Sequence, residues 1–513
     1  MANDIQMKQP WWRELNRYHW FVLGVAALGW LFDCLDQQLF NLARVPAMKE
    51  LLSPGRGLAA DPGKVAEFGG FATSIFLIGW AAGGLTFGVL GDRIGRARTM
   101  MWTILIYSLC TGLSALSVGF WDFAFYRFIT GLGVGGEFAV GVSLVAEVMP
   151  DRSRPYALGL LQALSTVGNV GAALISMGLG HMEQSGAIGS AWRWMFVIGA
   201  VPALLALLVR ARLKEPERWQ QLKASGATKT MGSYAELFGN PNWHKGAMLA
   251  VTCIVAIIVM AFAGPSDWPK LPIGLGLAAV TLAGGMWMIF GGKGGPWRRN
   301  AAVGLGLACV GVIGLWGIGF FAIDLNRSVL QKHFAAQGLT AAALAGKVTF
   351  WSGVTSMMLN VGAFFGIYCF GLLAQKIGRV KTFAIAFMAA LFATAYVFLN
   401  LRTLSDIFWM LPIMGFCQLA AFGGYAIYFP ELFPTHLRST GTSFCYNVGR
   451  FVAASGPAIL GLLTSRVFDG TKEPMRYAGA TMCAVFLLGL LILPFAQETK
   501  GQPLPEGERG FTH

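Results

Sequence analysis

Long apolar runs recur along the whole chain and are separated by short polar segments. A helix needs about 20 predominantly apolar residues to cross the hydrocarbon layer of a membrane, and the runs have about that length. Strands of a transmembrane barrel would alternate in polarity, and these runs do not. The pattern predicts an all-α polytopic membrane protein with fourteen spans. They lie near 18–42, 67–90, 99–118, 121–146, 155–180, 192–211, 246–264, 271–292, 299–323, 347–374, 382–400, 404–430, 439–466 and 475–496.

Composition and charge agree with a membrane protein. The 513 residues are 55% hydrophobic and 12% charged, whereas a soluble domain carries about 25% charged residues. The net charge of +14 comes mostly from Lys and Arg on the segments that lie inside if the N-terminus is cytoplasmic. The first apolar run is too long for a signal peptide and lacks its cleavage site. We therefore expect a plasma (inner) membrane protein with both termini cytoplasmic and no nucleic-acid partner.

Two pairs of similar segments indicate an internal duplication. GVLGDRIGRARTM (88–100) resembles GLLAQKIGRVKTF (371–383), and EVMPDRSR (147–154) resembles ELFPTHLR (431–438), at offsets of 283 and 284 residues. Two matches at nearly one offset predict two parallel six-helix bundles, an arrangement common in transporters. The span pair 246–264 and 271–292 is then an insertion of unknown role. The predicted units are an N-terminal bundle over 1–211, a linker with the inserted pair over 212–298, a C-terminal bundle over 299–498 and a cytoplasmic tail over 499–513.

Several motifs resemble those of the major facilitator superfamily. GVLGDRIGR resembles its signature loop between helices 2 and 3, and YRFITGLGVGGE (126–137) resembles the fourth helix of metabolite:proton symporters. EPERW and ETKGQ look like diluted sugar-porter motifs. The fourteen-span layout, WWRELNRYHW and the acids of the first span are similar to sialate:proton symporters. The resemblance implies two rocking bundles, alternating access, a monomer, and no enzymatic activity, cofactor or ATP.

The signature loop predicts a cytoplasmic gate. The macrodipole at a helix N-terminus favours an anion such as Asp92, and the resemblance places that helix start near Ser439. Basic side chains and Glu147 and Glu431 could complete an ion-pair latch, although a plain basic loop is the alternative. Gln375 replaces the acid in the second copy, where we expect a weaker latch. The predicted gating residues are Gly88, Asp92, Arg93, Gly95, Arg96, Glu147, Arg152, Gly378, Arg379, Glu431 and Arg438.

Five ionisable residues lie deep inside the predicted spans: Asp33, Asp36, Arg127, Glu137 and Arg450. Each costs at least about 2.5–3.5 kcal/mol at the bilayer centre unless it finds a partner, a cavity or a proton. Asp36 and Arg127 lie at the same depth and can pair, and Asp33 lies one turn further inward. Three acids face two arginines, which favours a proton on one acid. The sequence predicts a proton-coupling set of Asp33, Asp36, Arg127 and Glu137, with a static ion-pair network as the alternative.

Arg450 lies alone in a second half that otherwise has no deep charge. A buried guanidinium needs an anion, and its planar fork fits a carboxylate. Aromatic-acid:proton symporters carry a similar Gly-Arg pair in this helix, and sugar porters do not. The alternative is that Arg450 pairs across the molecule with Asp33 or Glu137.

Polar and aromatic side chains at similar depth are candidates for the wall of a substrate site. For each of them helix packing is an alternative explanation. The paired glutamines of sugar porters are absent, since GLWGIGFF (314–321) stands in their place. The eight cysteines have no metal-ligand spacing, so no metal site is predicted. The predicted substrate-binding residues are Arg450, Asn447, Gln162, Asn169, Trp316, Trp351, Asn360, Gln418 and Tyr425.

Together these features predict proton-coupled uptake of a small organic anion, such as a carboxylate or a sialic-acid-like metabolite. The partners are then the substrate, protons and the lipid bilayer. Three alternatives stay open: a symporter or facilitator for a sugar or other neutral metabolite, a proton-driven efflux antiporter, and a receptor on a transporter scaffold. PYALGLLQALSTVGNVG lacks the antiporter motif, and a receptor would usually carry a longer soluble tail.

Overall fold

A computed structural model describes residues 10–53, 62–184, 187–226, 231–249, 252, 280, 283–291, 295–337, 341–453, 460, 463–468 and 470–506. Within these residues the chain is helical and contains no strand, as the apolar pattern predicts. The membrane-spanning helices are long because their apolar runs continue for about 20 residues or more without a break.

The first half of the chain forms five long helices and a broken sixth. The first helix begins at a capping box, in which Asn16 and His19 each accept a hydrogen bond from the other's backbone N–H. The sixth predicted span is interrupted after Ile198 and resumes at Ala203. The helices are α1 Arg17–Leu51, α2 Pro62–Ile94, α3 Arg96–Ser114, α4 Phe120–Val148, α5 Arg154–Gln184, α6 Ala191–Ile198 and α7 Ala203–Arg212.

Two short helices, α8 Glu217–Ala224 and α9 Tyr234–Phe238, lie in the linker, and the second half then repeats the long-helix pattern. A π-helical turn at Ile313–Gly319 joins its first two helices into one continuous apolar stretch. The helices of this half are α10 Arg298–Val312, α11 Phe320–Ala335, α12 Ala341–Ile377, α13 Arg379–Asn400, α14 Met410–Glu431, α15 Arg438–Ala453, α16 Pro474–Met482 and α17 Val485–Ile492.

The described residues contain nine helices that are long and apolar enough to cross a membrane, so the all-helical membrane architecture is confirmed but the count of fourteen spans is not. The predicted span at 99–118 is helical in α3 but too polar to count, and the one at 439–466 is helical in α15 as far as Ala453 and then leaves the described residues. Both bury hydroxyl side chains, such as Thr111 and Thr440. The predicted pair 246–264 and 271–292 falls largely outside the described residues.

Close backbone contacts hold the second and fourth long helices of each half together. In the first half, Gly135 of α4 lies against the backbone oxygen of Trp80 in α2. In the second half, Gly366 of α12 lies against the backbone oxygen of Phe416 in α14. Small residues allow two membrane helices to approach this closely. The second and fourth long helices are therefore packed in the same way in both halves.

The two halves meet along α2 with α15 and along α5 with α12. Gly159 of α5 and Gly371 of α12 face each other across this contact, and a Cβ on Gly371 would lie 3.3 Å from the carbonyl oxygen of Pro155. Helices α2, α5, α12 and α15, which carry Asp92, Gln162, Asn360 and Arg450, thus line the contact between the halves.

The glycine packing predicts a difference between two glycines of one helix. A Cβ at position 135 would overlap the oxygen of Trp80, whereas Gly141 has open space around its Cα. We expect Gly135→Ala to destabilise the protein by about 1–3 kcal/mol, because α2 and α4 must separate. Gly141→Ala should leave the stability unchanged or raise it slightly, since alanine favours the helix. Thermal unfolding of the purified variants in detergent measures both, and equal melting temperatures would contradict the packing.

Candidate functional site

A cavity of about 90 Å³ lies between the two halves, and residues of both halves line it. Four of the predicted substrate-binding residues are in its wall: Gln162, Asn169, Asn360 and Arg450. The side-chain amide of Asn169 donates a hydrogen bond to Asn360 (3.0 Å), which connects α5 to α12 across the cavity. The sequence prediction missed other residues of the wall, among them Trp30, Cys34, Gln37, Gln38, Trp80, Ser165, Thr166, Ser356 and Tyr446.

Arg450 is the charged residue among those that line this cavity. Its Nη1 donates to the carbonyl oxygen of Tyr446 (2.9 Å) and to Oδ1 of Asn447 (3.3 Å). The guanidinium carbon lies 4.2 Å from the ring centre of Trp80 and 4.3 Å from that of Tyr446. Such cation–π contacts hold a guanidinium without neutralising it.

The alternative pairing of Arg450 with Asp33 or Glu137 is not present in the described part of the structure. Neither oxygen of Asp33 has a hydrogen-bond partner there, and neither does Nε of Arg450. The side-chain oxygen of Gln162 and the indole nitrogen of Trp30 also lack partners among the described residues. The cavity wall therefore holds two buried donors and one acceptor that are available to a ligand.

Four other predicted substrate-binding residues are not part of the cavity wall. The side-chain amide of Asn447 donates to the carbonyl oxygen of Gly135 (3.3 Å), and its side-chain oxygen accepts a hydrogen bond from Arg450. Gln418 donates to the carbonyl oxygen of Gly314 (2.9 Å) inside the second half.

Two more of these residues are also engaged elsewhere, and one cannot be located. The hydroxyl of Tyr425 donates to the carbonyl oxygen of Leu307 (2.7 Å). The ring of Trp351 packs edge-on against Phe408, with ring centres 6.0 Å apart. The side chain of Trp316 lies outside the described part of the structure.

Asp36 and Arg127 face each other in the first half, with 3.7 Å between Oδ2 and Nη1. The hydroxyl of Thr111 lies between them, donating to Oδ1 of Asp36 (2.7 Å) and accepting from Arg127 (3.1 Å). Ser114 and Thr130 accept further hydrogen bonds from the same guanidinium (2.8 and 3.1 Å). Three hydroxyl groups accept hydrogen bonds from the Arg127 guanidinium. The arginine therefore keeps hydrogen-bond partners when its ion pair with Asp36 separates.

Asp33 and Glu137 complete the predicted proton-coupling set, and both are fully buried. One oxygen of Glu137 accepts a hydrogen bond from Thr103 (2.6 Å). The other lies against Gly29 of α1, where a Cβ would overlap it. Asp33 stands one turn along α1 from Gly29, so the Asp33 and Glu137 carboxyl groups are neighbours, and Glu137 interacts electrostatically with Asp33.

Asp92, near the C-terminal end of α2, lies against the first turn of α15. Its oxygens accept the backbone N–H groups of Ser439 (3.1 Å) and Thr440 (2.8 Å) and the hydroxyl of Thr440 (2.7 Å). Arg96 lies 3.0 Å from the same carboxylate. The predicted contact between this acid and a helix start of the other half is therefore present.

Glu147 and Arg438 form a second contact between the halves, with 2.7 Å between Oε1 and Nη1. Arg96 also reaches Glu147 (3.0 Å) and donates to the carbonyl oxygen of Thr435 (2.5 Å). Glu431 pairs within its own half with Arg379 (2.9 Å). Four buried charged side chains thus lie together at this end of the contact between the halves, and we name Asp92, Arg96, Glu147 and Arg438 the latch.

The second copy of the signature loop makes a neutral contact. Gln375 donates to the carbonyl oxygen of Arg152 (3.1 Å), and Gly88 in the first copy lies directly against Ser443 of α15. Arg93 donates to the carbonyl oxygen of Met231 in the linker (3.1 Å). The first copy of the loop therefore makes a charged contact with the other half through Asp92, and the second copy makes a neutral one through Gln375.

Two glutamates that the sequence prediction did not include bind backbone N–H groups beside the predicted gating residues. Glu215 of the EPERW segment accepts the N–H groups of Ala97 and Arg98, and Glu498 of ETKGQ accepts those of Arg379 and Val380. Each lies beside a glycine with positive φ, Gly95 (116°) or Gly378 (98°). The sequence contained a signal for this role, since each motif follows the last helix of a half and carries an acid. An acid is favourable at a helix N-terminus, where the macrodipole is positive.

Comparison with known proteins finds similar chains among transporters. Residues 63–244 match the family model described as "Sugar (and other) transporter". The cis,cis-muconate transport protein of Acinetobacter baylyi is 27% identical over 438 residues, which cover 85% of this chain and 86% of that protein. The sialic acid transporter NanX of Escherichia coli is 24% identical over 455 residues, or 88% of this chain and 89% of that protein.

A solved structure of the major facilitator superfamily proton:xylose symporter XylE, bound to 6-bromo-6-deoxy-D-glucose, superimposes with a TM-score of 0.65. The match covers 95% of this chain and 98% of that chain at 16% sequence identity. At this identity the likeness establishes the fold, and it says nothing about the substrate of this chain.

The latch predicts how one substitution changes hydrogen exchange. Asp92→Asn removes the charge and one acceptor from the first turn of α15, and hydrogen bonds to charged groups are worth about 1.5–3 kcal/mol. We expect amide exchange in a peptide covering residues 437–444 to rise roughly tenfold or more. Hydrogen exchange with mass spectrometry measures the rate.

Asp406→Asn is the matched control for this experiment. Asp406 accepts the N–H groups of Arg402 and Thr403 at the opposite end of the molecule. Its substitution should speed exchange at residues 402–406 only. Unchanged exchange at 437–444 in Asp92→Asn would show that Asp92 does not hold the start of α15.

Proposed function

We propose that this chain, which has the fold and the motifs of the major facilitator superfamily, carries a small organic anion into the cell together with protons. It is a multi-pass membrane transporter and not an enzyme. In this proposal it acts as a monomer in the plasma (inner) membrane with both termini cytoplasmic, since cavity and latch are complete within one chain. Its partners are the substrate, protons and the lipid bilayer.

One observation carries the choice of an anion. Arg450 is a buried guanidinium in the wall of the central cavity, fixed by Asn447 and by two aromatic rings, and no carboxylate neutralises it among the described residues. Its planar fork fits a carboxylate. The indole N–H of Trp30 can donate to the same anion, and the free oxygen of Gln162 can accept from a hydroxyl of the substrate.

The names of two relatives support a carboxylate. Both cis,cis-muconate and sialic acid are organic acids, and the two proteins named for their transport match most of this chain. The family model and the sugar symporter match the same fold, but the cavity of this chain presents a cation, which a neutral sugar does not require.

The coupling step that we propose is the exchange of a proton for an ion pair. A proton on Asp36 removes the partner of Arg127, which then rests on Thr111, Ser114 and Thr130. An anion bound at Arg450 neutralises the cavity at the same time. The halves can then rock apart on the cytoplasmic side as the latch opens, so transport proceeds only when both ligands are bound.

Arg450→Lys tests the anion site. Lysine keeps the charge and loses the planar fork, so we expect the KM for carboxylate uptake to rise about tenfold or more with a smaller change in kcat. Initial rates of uptake into proteoliposomes, measured with a panel of carboxylates and a neutral sugar, give both constants.

Arg476→Lys is the control for Arg450→Lys, because Arg476 is buried and donates to the carbonyl oxygens of Phe398 and Leu401 away from the cavity. It should lower the melting temperature without changing the KM. Two results together would refute the anion proposal. The wild type would take up the neutral sugar and no carboxylate, and the Arg450→Ala variant would still take up the sugar.

Asp36→Asn tests the coupling. The variant cannot exchange a proton at this position, so an inward proton gradient should no longer drive accumulation, while exchange of labelled substrate continues. Asp122→Asn, at the outer start of α4, should accumulate substrate like the wild type. Gradient-driven accumulation that persists in Asp36→Asn would favour a static ion-pair network.

A further inference from the structure

The two sides of helix α1 have different neighbours. Trp30, Cys34, Gln37 and Gln38 line the cavity and repeat at helical spacing. Gly29, Asp33 and Asp36 form another stripe that faces α3 and α4. Gly29 lies against Met100 and Glu137, and Asp36 contacts Thr111 and Arg127. None of the three acids belongs to the cavity wall among the described residues.

The acids form a descending series behind α1. Asp36 is nearest the outer side, Asp33 is one turn deeper, and Glu137 reaches α1 at the level of Gly29. At 1.5 Å per residue the series descends roughly 10 Å between positions 36 and 29. Each carboxyl group is therefore within about one helical turn of the next.

Helix α3 places a hydroxyl beside this series at each turn. Thr111 donates to Asp36, and Thr103 donates to Glu137. Tyr107 stands midway between them on the same face, because positions 103, 107 and 111 are four residues apart. Its side chain is fully buried, and its hydroxyl has no hydrogen-bond partner among the described residues. All three acids interact electrostatically with it.

The charged groups around this series come from four helices. Helix α1 supplies Asp33 and Asp36, and α4 supplies Arg127 and Glu137. Arg450 of α15 acts on Asp33 at longer range. Tyr107 of α3 is close enough to all three acids to interact with them electrostatically.

We propose that protons cross this part of the protein behind α1, along a relay formed by Asp36, Asp33, Tyr107 and Glu137, and not through the substrate cavity. This inference rests on the proposed proton-coupled function. In each transfer a carboxylic acid gives its proton to the Tyr107 hydroxyl, which releases its own proton to the next carboxylate. Only O–H bonds form and break, and Tyr107 is neutral before and after. Thr103 holds the Glu137 carboxyl in position to receive.

Tyr107→Phe tests the relay, since it removes one oxygen and keeps the ring. In proteoliposomes, with the carboxylate that the wild type takes up best, we expect exchange of labelled substrate to stay within about twofold. Substrate-dependent proton entry, measured with an internal pH dye, should fall at least about tenfold. Tyr428→Phe is the matched control, because Tyr428 is also buried and donates to the carbonyl oxygen of Gln497 away from the acids. It should keep both rates.

Thr103→Val is a second variant that keeps the test decisive if Tyr107→Phe does not fold. It should leave exchange intact and shift the pH profile of uptake, which a change of packing alone would not do. Wild-type proton entry and an unshifted pH profile in both variants would overturn the relay while leaving the proposed function standing. Loss of exchange together with proton entry would also overturn it, since the residues would then serve the fold. A wild type without proton entry would overturn both proposals.

Discussion

The cost of holding an ionised group away from water determines where the charges of this protein lie. Asp92, Arg96, Glu147 and Arg438 are buried together at one end of the contact between the halves, where each contacts an opposite charge. Arg127 is satisfied by hydroxyls as well as by Asp36. Other deep groups do not follow this pattern in the described part of the chain: Asp33 has no hydrogen-bond partner, one oxygen of Glu137 has none, and Arg450 lies between aromatic rings. Groups whose cost is not compensated inside the protein are those that a ligand or a proton can compensate.

The same backbone geometry and some of its ion pairs recur in both halves, such as Arg96 with Glu147 and Arg379 with Glu431. Gly95 and Gly378 both have positive φ, and Glu215 and Glu498 each accept two N–H groups beside them. The helix pairs α2 with α4 and α12 with α14 both rest on glycine contacts. Asp92 and Gln375 differ, and the deep charges also differ: Asp33, Asp36, Arg127 and Glu137 lie in the first half and Arg450 lies in the second. The helix contacts are thus shared by the two halves, and the deep ionisable groups are not.

Depth along a helix is readable from a sequence, and direction around the helix is much less so. Counting residues from the span ends places Asp36 level with Arg127, and they lie 3.7 Å apart. The same counting places Asn447, Gln418 and Tyr425 at the depth of the cavity, but their side chains bond to backbone carbonyls within the helix packing.

Other features depend on contacts that only the folded chain reveals. The aromatic clamp on Arg450 joins Trp80 and Tyr446, which are far apart in sequence. The hydroxyls of α3 look like ordinary polar residues until Asp36 and Glu137 are placed beside them. The break between α6 and α7 was also unpredicted, although Pro202 and Gly199 stand at it. The motifs and the repeat are predictable because they depend on local sequence, whereas the contact of Asp92 with the helix start near Ser439 is expected only through the resemblance to a known family.

Helix α1 has the substrate cavity on one side and the partners of its two acids on the other. Side chains at 30, 34, 37 and 38 face the cavity, and the acids at 33 and 36 face the opposite helices. Substitutions on one stripe therefore alter the shape of the cavity without touching an acid or its hydroxyl partners. In the proposed transporter this arrangement is modular: the residues that shape the substrate cavity and the acids proposed to carry protons can be changed independently of each other.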